Sequence, residues 1–444
     1  MNRMGNVLMA GADVARLDSL AGFLGGNGFT VATCGGATPI FEEIRENRPE
    51  LVVIDLLGNQ TAGFQWAREM AGGKEKAGVP VVLIGAAPSV GHLDGALDAG
   101  AAETFTEPLD REEFLARLRP LLRVATMSAE LSRRTGLARR FGCGPAADLG
   151  TDGDDRPYDI LLVGDKEEEN LINEALGGNC ATTISPDPST AEETLSERFF
   201  DACVMAVDSG NGSEPYLDLC SRMRDNPRLF NLPVVMLAPP GALTGKPEPY
   251  RMGASRSLES PVRPELLRNS LVTLVTRQRR RWEIRKAIEA TLQGPVMDTL
   301  TGGYNFDFLK ANIDDFIDTA GLLRRELTIA FFLIPQVSHV RHLFGDVAAD
   351  DLIRQLSVWI TRMVRAEDMT ARYGEYDFCA FLPDTPMDEA RFVMERIASI
   401  ISYTDFAITE VYQPISVPVE VGFSELIPGD DAETLIKRAH SNLD

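Results

Sequence analysis

Residues 365–378 read RAEDMTARYGEYDF, and the meaning of this stretch decides how the last third of the chain folds. Arg365 and Asp368 stand three apart, and a five-residue spacer, Met369–Tyr373, separates them from Gly374, Glu375 and Tyr376. Taken alone, the pair is an i, i+3 surface ion pair worth a few tenths of a kcal/mol. The same spacing recurs at Arg156 with Asp159 and at Arg222 with Asp225, so only context can give it meaning.

The chain has 444 residues, too many for one ordinary core, and its apolar and charged fractions are those of a folded, multidomain protein. A formal net charge of -22 excludes extended binding to a phosphate backbone, so DNA is not an expected partner. A small anionic ligand remains compatible with locally clustered arginines, because charges beyond roughly 8 Å are largely screened. The cysteines Cys34, Cys143, Cys180, Cys203, Cys220 and Cys379 are dispersed and form no CxxC pair, which suits buried thiols in a reducing compartment. No apolar run approaches the roughly 18 residues that cross a bilayer, so a cytoplasmic protein without membrane insertion is expected. His339 and His342 lack further partners at zinc-site spacing and read as solvated surface.

In the first 125 residues, short apolar runs (NVLMA, LVVIDLL, VPVVLIG) alternate with longer helical patterns, the mark of a parallel sheet covered on both faces. The pattern then returns. Val7 matches Ile160, Pro80 matches Pro233 and Pro108 matches Pro261, each at an offset of 153. Both copies resemble response-regulator receiver domains of flavodoxin-like order, whose sites lie at the carboxyl ends of the strands. The resemblance implies an acidic pair that holds Mg²⁺, a phosphoacceptor aspartate, a hydroxyl and a lysine. Here Asp55 stands at the acceptor position, but Gly11 and Ala12 replace the acidic pair, Gly85 the hydroxyl and Glu107 the lysine. Asp13 is a candidate for one surviving metal contact, and Mg²⁺ is expected only if this receiver is phosphorylated. In the second copy Asp165 survives near the metal position, while Ala238 and Ser260 replace the hydroxyl and lysine. The acid that opens each third strand favours Ala206 as the acceptor counterpart, whereas a constant offset nominates Asp208.

From Met297 onward, MDTLTGGYN, then ARYGEYDFCAFLP, VPVEVGFSE and AETLIKRAHSNL closely resemble GGDEF domains, the diguanylate cyclase family. The expected fold class is therefore α/β: two flavodoxin-like receiver domains followed by a GGDEF, nucleotide-cyclase-like α+β domain. The expected boundaries are 1–125, a linker at 126–157, 158–280, a helical connector at 281–296, and 297–444.

The family joins two GTP molecules and needs carboxylates for two metal ions. Counting back from Gly345 puts Leu333 at the first metal ligand, Pro335 at the second aspartate, Ser338 at the lysine and Arg341 at the guanine-reading asparagine; only Asp350 matches. In the signature loop Glu375 replaces the second glycine and Tyr376 the metal-binding acid, and the family's phosphate-binding tail is not reached by Asp444. No catalytic residues are expected, and no metal.

What does match is the segment upstream. The family's inhibitory RxxD motif, five residues before the signature loop, binds cyclic di-GMP and corresponds to Arg365 and Asp368. An arginine fork can donate to guanine O6 and N7, and a carboxylate can accept from N1–H and the N2 amine. Arg396 matches a secondary inhibitory arginine, and Arg372 adds positive charge nearby. The domain order is that of PleD-type regulators, and the resemblance is to their degenerate, effector branch. It implies a cyclic di-GMP effector recruited to the cell pole, a homodimer, and an adaptor that works through RcdA and the ClpXP protease. Residual cyclase activity and a phosphorylation-driven receiver scaffold are the alternatives.

Overall fold

The computed structural model describes residues 5–35, 40–72, 79–85, 90–144, 156–208, 212–226, 228–243, 247–323, 325–409 and 411–443. The chain divides into two compact units. One holds Met4–Ala125 with Gly150–Glu283, and the other holds Thr126–Leu149 with Ile284–Asp444.

The first unit contains two five-stranded parallel sheets. Strands β1 (Gly5–Gly11), β2 (Phe29–Gly35), β3 (Leu51–Asp55), β4 (Val81–Gly85) and β5 (Glu103–Thr106) lie in the order β2-β1-β3-β4-β5. Strands β6 (Tyr158–Val163), β7 (Cys180–Ser185), β8 (Ala202–Ala206), β9 (Val234–Ala238) and β10 (Arg256–Glu259) repeat it as β7-β6-β8-β9-β10. This is the flavodoxin-like order. The central strands carry continuous apolar runs because helices cover both faces, and Val52, Val53, Ile54, Val82, Leu83 and Ile84 are all fully buried.

The offset of 153 relates β4 to β9 and β5 to β10 residue for residue, but β8 starts two residues earlier than that offset places it. The register settles the acceptor counterpart: Asp55 pairs with Ile84, and Ala206 pairs with Leu237. Ala206, not Asp208, therefore occupies the acceptor position. The opening acids explain why. Glu50 accepts the Asn6 amide at 2.7 Å, and Asp201 accepts the Asp159 amide at 3.1 Å, the same bond made once in each copy. Each acid ties the entry of the third strand to the first; the two residues are lost between β6 and β7, since Val7 pairs with Val31 but Ile160 with Thr182, and the offset is restored between β8 and β9.

Both copies pack within this unit, and one cluster of charges shared between them is buried. Glu103 on β5 is fully buried and meets Arg117 at 2.6 Å, Arg277 at 3.7 Å and, closer still, Arg256 on β10. Arg268 reaches Asp94 at 3.2 Å, and the Asn269 amide donates to the Leu93 carbonyl.

The second unit is built on an antiparallel sheet of β11 (Leu327–Leu333), β12 (Met369–Arg372), β13 (Asp377–Pro383) and β16 (Glu420–Glu425), in the order β12-β13-β11-β16. A short pair, β14 (Asp405–Phe406) with β15 (Ile415–Ser416), flanks it. Helices Asp346–Met363 and Met387–Ser402 cover one face, and helices Phe306–Leu323 and Ala432–Ser441 the other. This is the nucleotide-cyclase-like α+β arrangement.

The stretch expected to be a linker from residue 126 onward begins as helix. Helix Arg111–Arg140 continues through it, and residues from Thr126 onward belong to the second unit. The physical reason is an apolar stripe at helical spacing: Met127, Leu131, Leu137 and Ala138 are buried, and the Phe141 ring meets Phe308 edge-on at 5.4 Å. The glycine- and acid-rich part of that linker, 145–155, lies outside the described residues. No helix among the described residues is long and apolar enough to cross a membrane.

Candidate nucleotide-binding site

β12 and β13 form a hairpin in which Arg372 pairs with Phe378, closed by the Tyr373 amide donating to the Asp377 carbonyl at 2.9 Å. Just before β12 the RAED residues make a tight turn. The Asp368 amide donates to the Arg365 carbonyl at 3.1 Å, and the Asp368 carboxylate accepts the Arg365 amide at 2.8 Å. The aspartate, 8% exposed, therefore fixes the turn through the backbone. The Arg365 guanidinium forms its ion pair with Glu389 on helix Met387–Ser402, with its side chain 39% exposed. Burial works against the charge of Arg365, but Asp368 and Glu389 outweigh it and raise its pKa above the ordinary value.

The four residues singled out as ligand contacts are distributed as follows. Arg365 and Asp368 share the turn. Arg396 is exposed on the helix that carries Glu389, two turns further along the same face, about 10 Å away along the axis. Arg372 faces different partners: its guanidinium bonds Asp298 at 2.9 Å and the Gly374 carbonyl at 3.3 Å, and so links the hairpin to the DTLTG segment. Burial pushes the Asp298 carboxyl up, but bonds from Arg372 and Thr301 hold it below its usual range. Sequence spacing alone did not reveal Glu389, which lies 24 residues from its partner, or the exposed Phe392 on the same helix.

The residues that the sequence resemblance sets at cyclase positions are placed as follows. Leu333 at the end of β11 lies opposite Asp377 at the start of β13. Asp377 is buried and bonded to His440 at 3.0 Å. Tyr376 is 37% exposed, and its carbonyl accepts the Ile334 amide at 2.9 Å. A Cβ at Gly374 would lie 2.3 Å from the Asp377 carboxylate, so a larger residue there would displace that side chain. Pro335 caps helix Gln336–Phe344, with Ser338 inside it, and Arg341 pairs with Asp346 at 2.7 Å and Asp350 at 3.6 Å. The acid expected to read guanine therefore has a cation against it.

Mg²⁺ takes hard oxygen donors. Of Leu333, Tyr376 and Asp377, only Asp377 has a carboxylate, and it faces His440. No group of three His, Cys, Asp or Glu among the described residues could hold a metal ion. The residues present do not fit the cyclase metals.

At Asp55, the expected acceptor position, the structure places a cation. Asp55, 3% exposed, bonds Arg16 Nε at 2.6 Å, and the other arm of Arg16 pairs with Glu107. Burial opposes the Arg16 charge, but Glu107 and Asp55 outweigh it and raise its pKa. Asp13 caps the helix Val14–Gly25 by accepting the Arg16 amide at 3.1 Å. In the second copy Asp165 likewise caps a helix, Lys166–Ala175, in a capping box with Glu168.

Comparison with known proteins agrees with this architecture. Residues 295–444 match the family described as "Diguanylate cyclase, GGDEF domain". The chain is similar to the response regulator PleD of Caulobacter vibrioides, at 26% identity over 395 residues, covering 88% of this chain and 86% of PleD. It is also similar to the response regulator MprA of Mycobacterium tuberculosis, at 31% identity over 117 residues, 26% of this chain and 50% of MprA. Among solved structures, the GGDEF domain of DgcB from Caulobacter crescentus, determined in complex with c-di-GMP, aligns with a TM-score of 0.32 and 21% identity over 34% of this chain and 88% of that one.

Proposed function

We propose that the chain is a non-catalytic cyclic di-GMP effector that holds the nucleotide at the Arg365–Asp368 turn. The observation that carries this reading is a contrast within one hairpin region. The RAED turn is built, with a half-exposed guanidinium beside a backbone-anchored carboxylate, while the metal positions at the other end of β12 carry Leu333 and Tyr376. Arg396 on the neighbouring helix is the second cation available to a dinucleotide, whereas the charge of Arg372 is already met by Asp298.

Calorimetry on the full chain tests the proposal. Wild-type protein is expected to bind cyclic di-GMP, and Arg365→Ala is expected to lose about 1–3 kcal/mol, the scale of one bidentate base contact. Equal affinity for both proteins would remove the assignment.

On this reading the protein is similar to PopA, the degenerate PleD-like effector. Its ligand would bias protein contacts toward RcdA and the ClpXP pathway, as an adaptor in regulated, cell-cycle proteolysis at the cell pole, in the form of a homodimer. A ligand can do this only by binding two arrangements with different affinity. The receivers serve as packing modules and not as phosphorylation switches, because Arg16 already occupies Asp55. Incubation with acetyl phosphate and Mg²⁺ is therefore expected to add no phosphoryl mass at Asp55. A stoichiometric gain mapped to that residue would favour the phosphorylation-driven scaffold instead.

A further inference from the structure

We infer that Arg134 is a positioning residue for the ligand turn, an inference that rests on the effector reading above. Arg134 lies on the part of helix Arg111–Arg140 that packs within the second unit, and its side chain is 1% exposed. Its guanidinium donates to three successive main-chain carbonyls: Ala366 at 3.3 Å, Glu367, and Asp368 at 2.9 Å. These are the last three residues of RAED. The guanidinium also stands over the Tyr304 ring at 5.7 Å, and Glu130 lies 3.9 Å from its Nε.

Three consecutive carbonyls converge on one cation only if the backbone bends around it. A turn of four residues satisfies few of its own carbonyls, and a buried carbonyl without a donor is costly. Arg134 supplies those donors with a planar fork, which a single ammonium cannot imitate. The same turn fixes the relation between the Arg365 amide and the Asp368 carboxylate, and hence where the Arg365 side chain leaves the backbone. Arg134 does not reach for the nucleotide. It sets the population of the turn that can, and apparent affinity falls in proportion to that population.

The surrounding contacts make the placement firm. Leu137 and Ala138 join the core formed by Phe308, Phe316 and Phe381. Arg133 stacks on Phe316 at 4.7 Å, Arg140 bonds Asp315 at 2.6 Å, and Thr126 bonds Asp384 at 3.0 Å. Segment 126–143 is therefore part of the nucleotide-binding unit, and a piece cut at residue 297 would lack the residue that shapes the turn.

The test compares full-length wild type, Arg134→Ala, Arg134→Lys and Arg365→Ala by calorimetry with cyclic di-GMP, and by hydrogen exchange without ligand. Arg134→Ala is expected to bind on the order of tenfold more weakly, with Arg134→Lys in between. Peptides covering 364–372 should exchange faster in Arg134→Ala, while β11 keeps wild-type protection. Wild-type affinity in Arg134→Ala, unchanged exchange at 364–372, or equal loss of protection in β11 would each overturn the inference. If Arg134→Ala does not fold, Arg134→Lys carries the same comparison. Failure of wild type to bind would sink the effector reading, seen as Arg365→Ala changing nothing, and exchange at 364–372 would still decide whether Arg134 holds the turn.

Discussion

Replacing Glu103 by Gln is expected to destabilise the receiver pair by about 3–5 kcal/mol, the cost of leaving buried cations uncompensated. The carboxylate is fully buried against Arg117, Arg256 and Arg277. Glutamine keeps the shape and removes the charge, so three guanidiniums would face one another. The strain already shows at Arg277, where burial, opposed by Glu103, leaves the pKa at about 10. Urea unfolding followed by hydrogen exchange in β1–β10 measures the loss, and Glu103→Gln combined with Arg256→Met should recover part of it. Near-wild-type stability of the single variant would contradict this account.

The same residue sets a pH dependence. Burial alone would raise the Glu103 pKa, but the three guanidiniums outweigh it and hold it at about 2, below the roughly 4.3 of an unfolded chain. A depressed carboxylate contributes its full stabilisation above the unfolded value and loses it as pH falls toward the folded one. Stability of β1–β10 should therefore decline between about pH 4 and pH 2, and this part of the decline should be absent in Glu103→Gln.

Gly422→Ala is expected to cost about 3 kcal/mol in the second unit, the upper part of the range for overpacking a core. A Cβ there would lie 2.4 Å from the Ala439 carbonyl oxygen and 3.0 Å from the Leu443 amide. Both are backbone atoms, so no rotamer change relieves the clash, and helix Ala432–Ser441 must move. That helix buries Leu435, Ile436 and Ala439 against the sheet and carries His440 to Asp377. A thermal melt should show the loss, and an unchanged midpoint would mean that β16 and the helix are less closely apposed.

The fold was legible where physical chemistry is local. Continuous apolar runs marked buried parallel strands, and a shared offset marked the duplication. The two-residue shift at Ala206 could be read from Glu50 and Asp201, because an acid that ties strand entries together acts at fixed spacing. The site was legible in its parts and not in its partners. Arg372 looks free in sequence, but Asp298, 74 residues away, takes its charge. The helix through 126–140 was hidden because its apolar stripe is interrupted by Arg133 and Arg134, charges that are buried by stacking on Phe316 and by bonding a distant turn. Pairings so distant along the chain leave no periodicity to detect.

The duplication has one further consequence, at Glu103 and Arg256. These residues occupy equivalent places in the two repeats, and one is acidic where the other is basic. Two first repeats brought together by this surface would set acid against acid, and two second repeats base against base. Only unlike repeats satisfy each other, so this contact is consumed within the chain and discourages like-with-like assembly there. Self-association that pairs like repeats must recruit a different face.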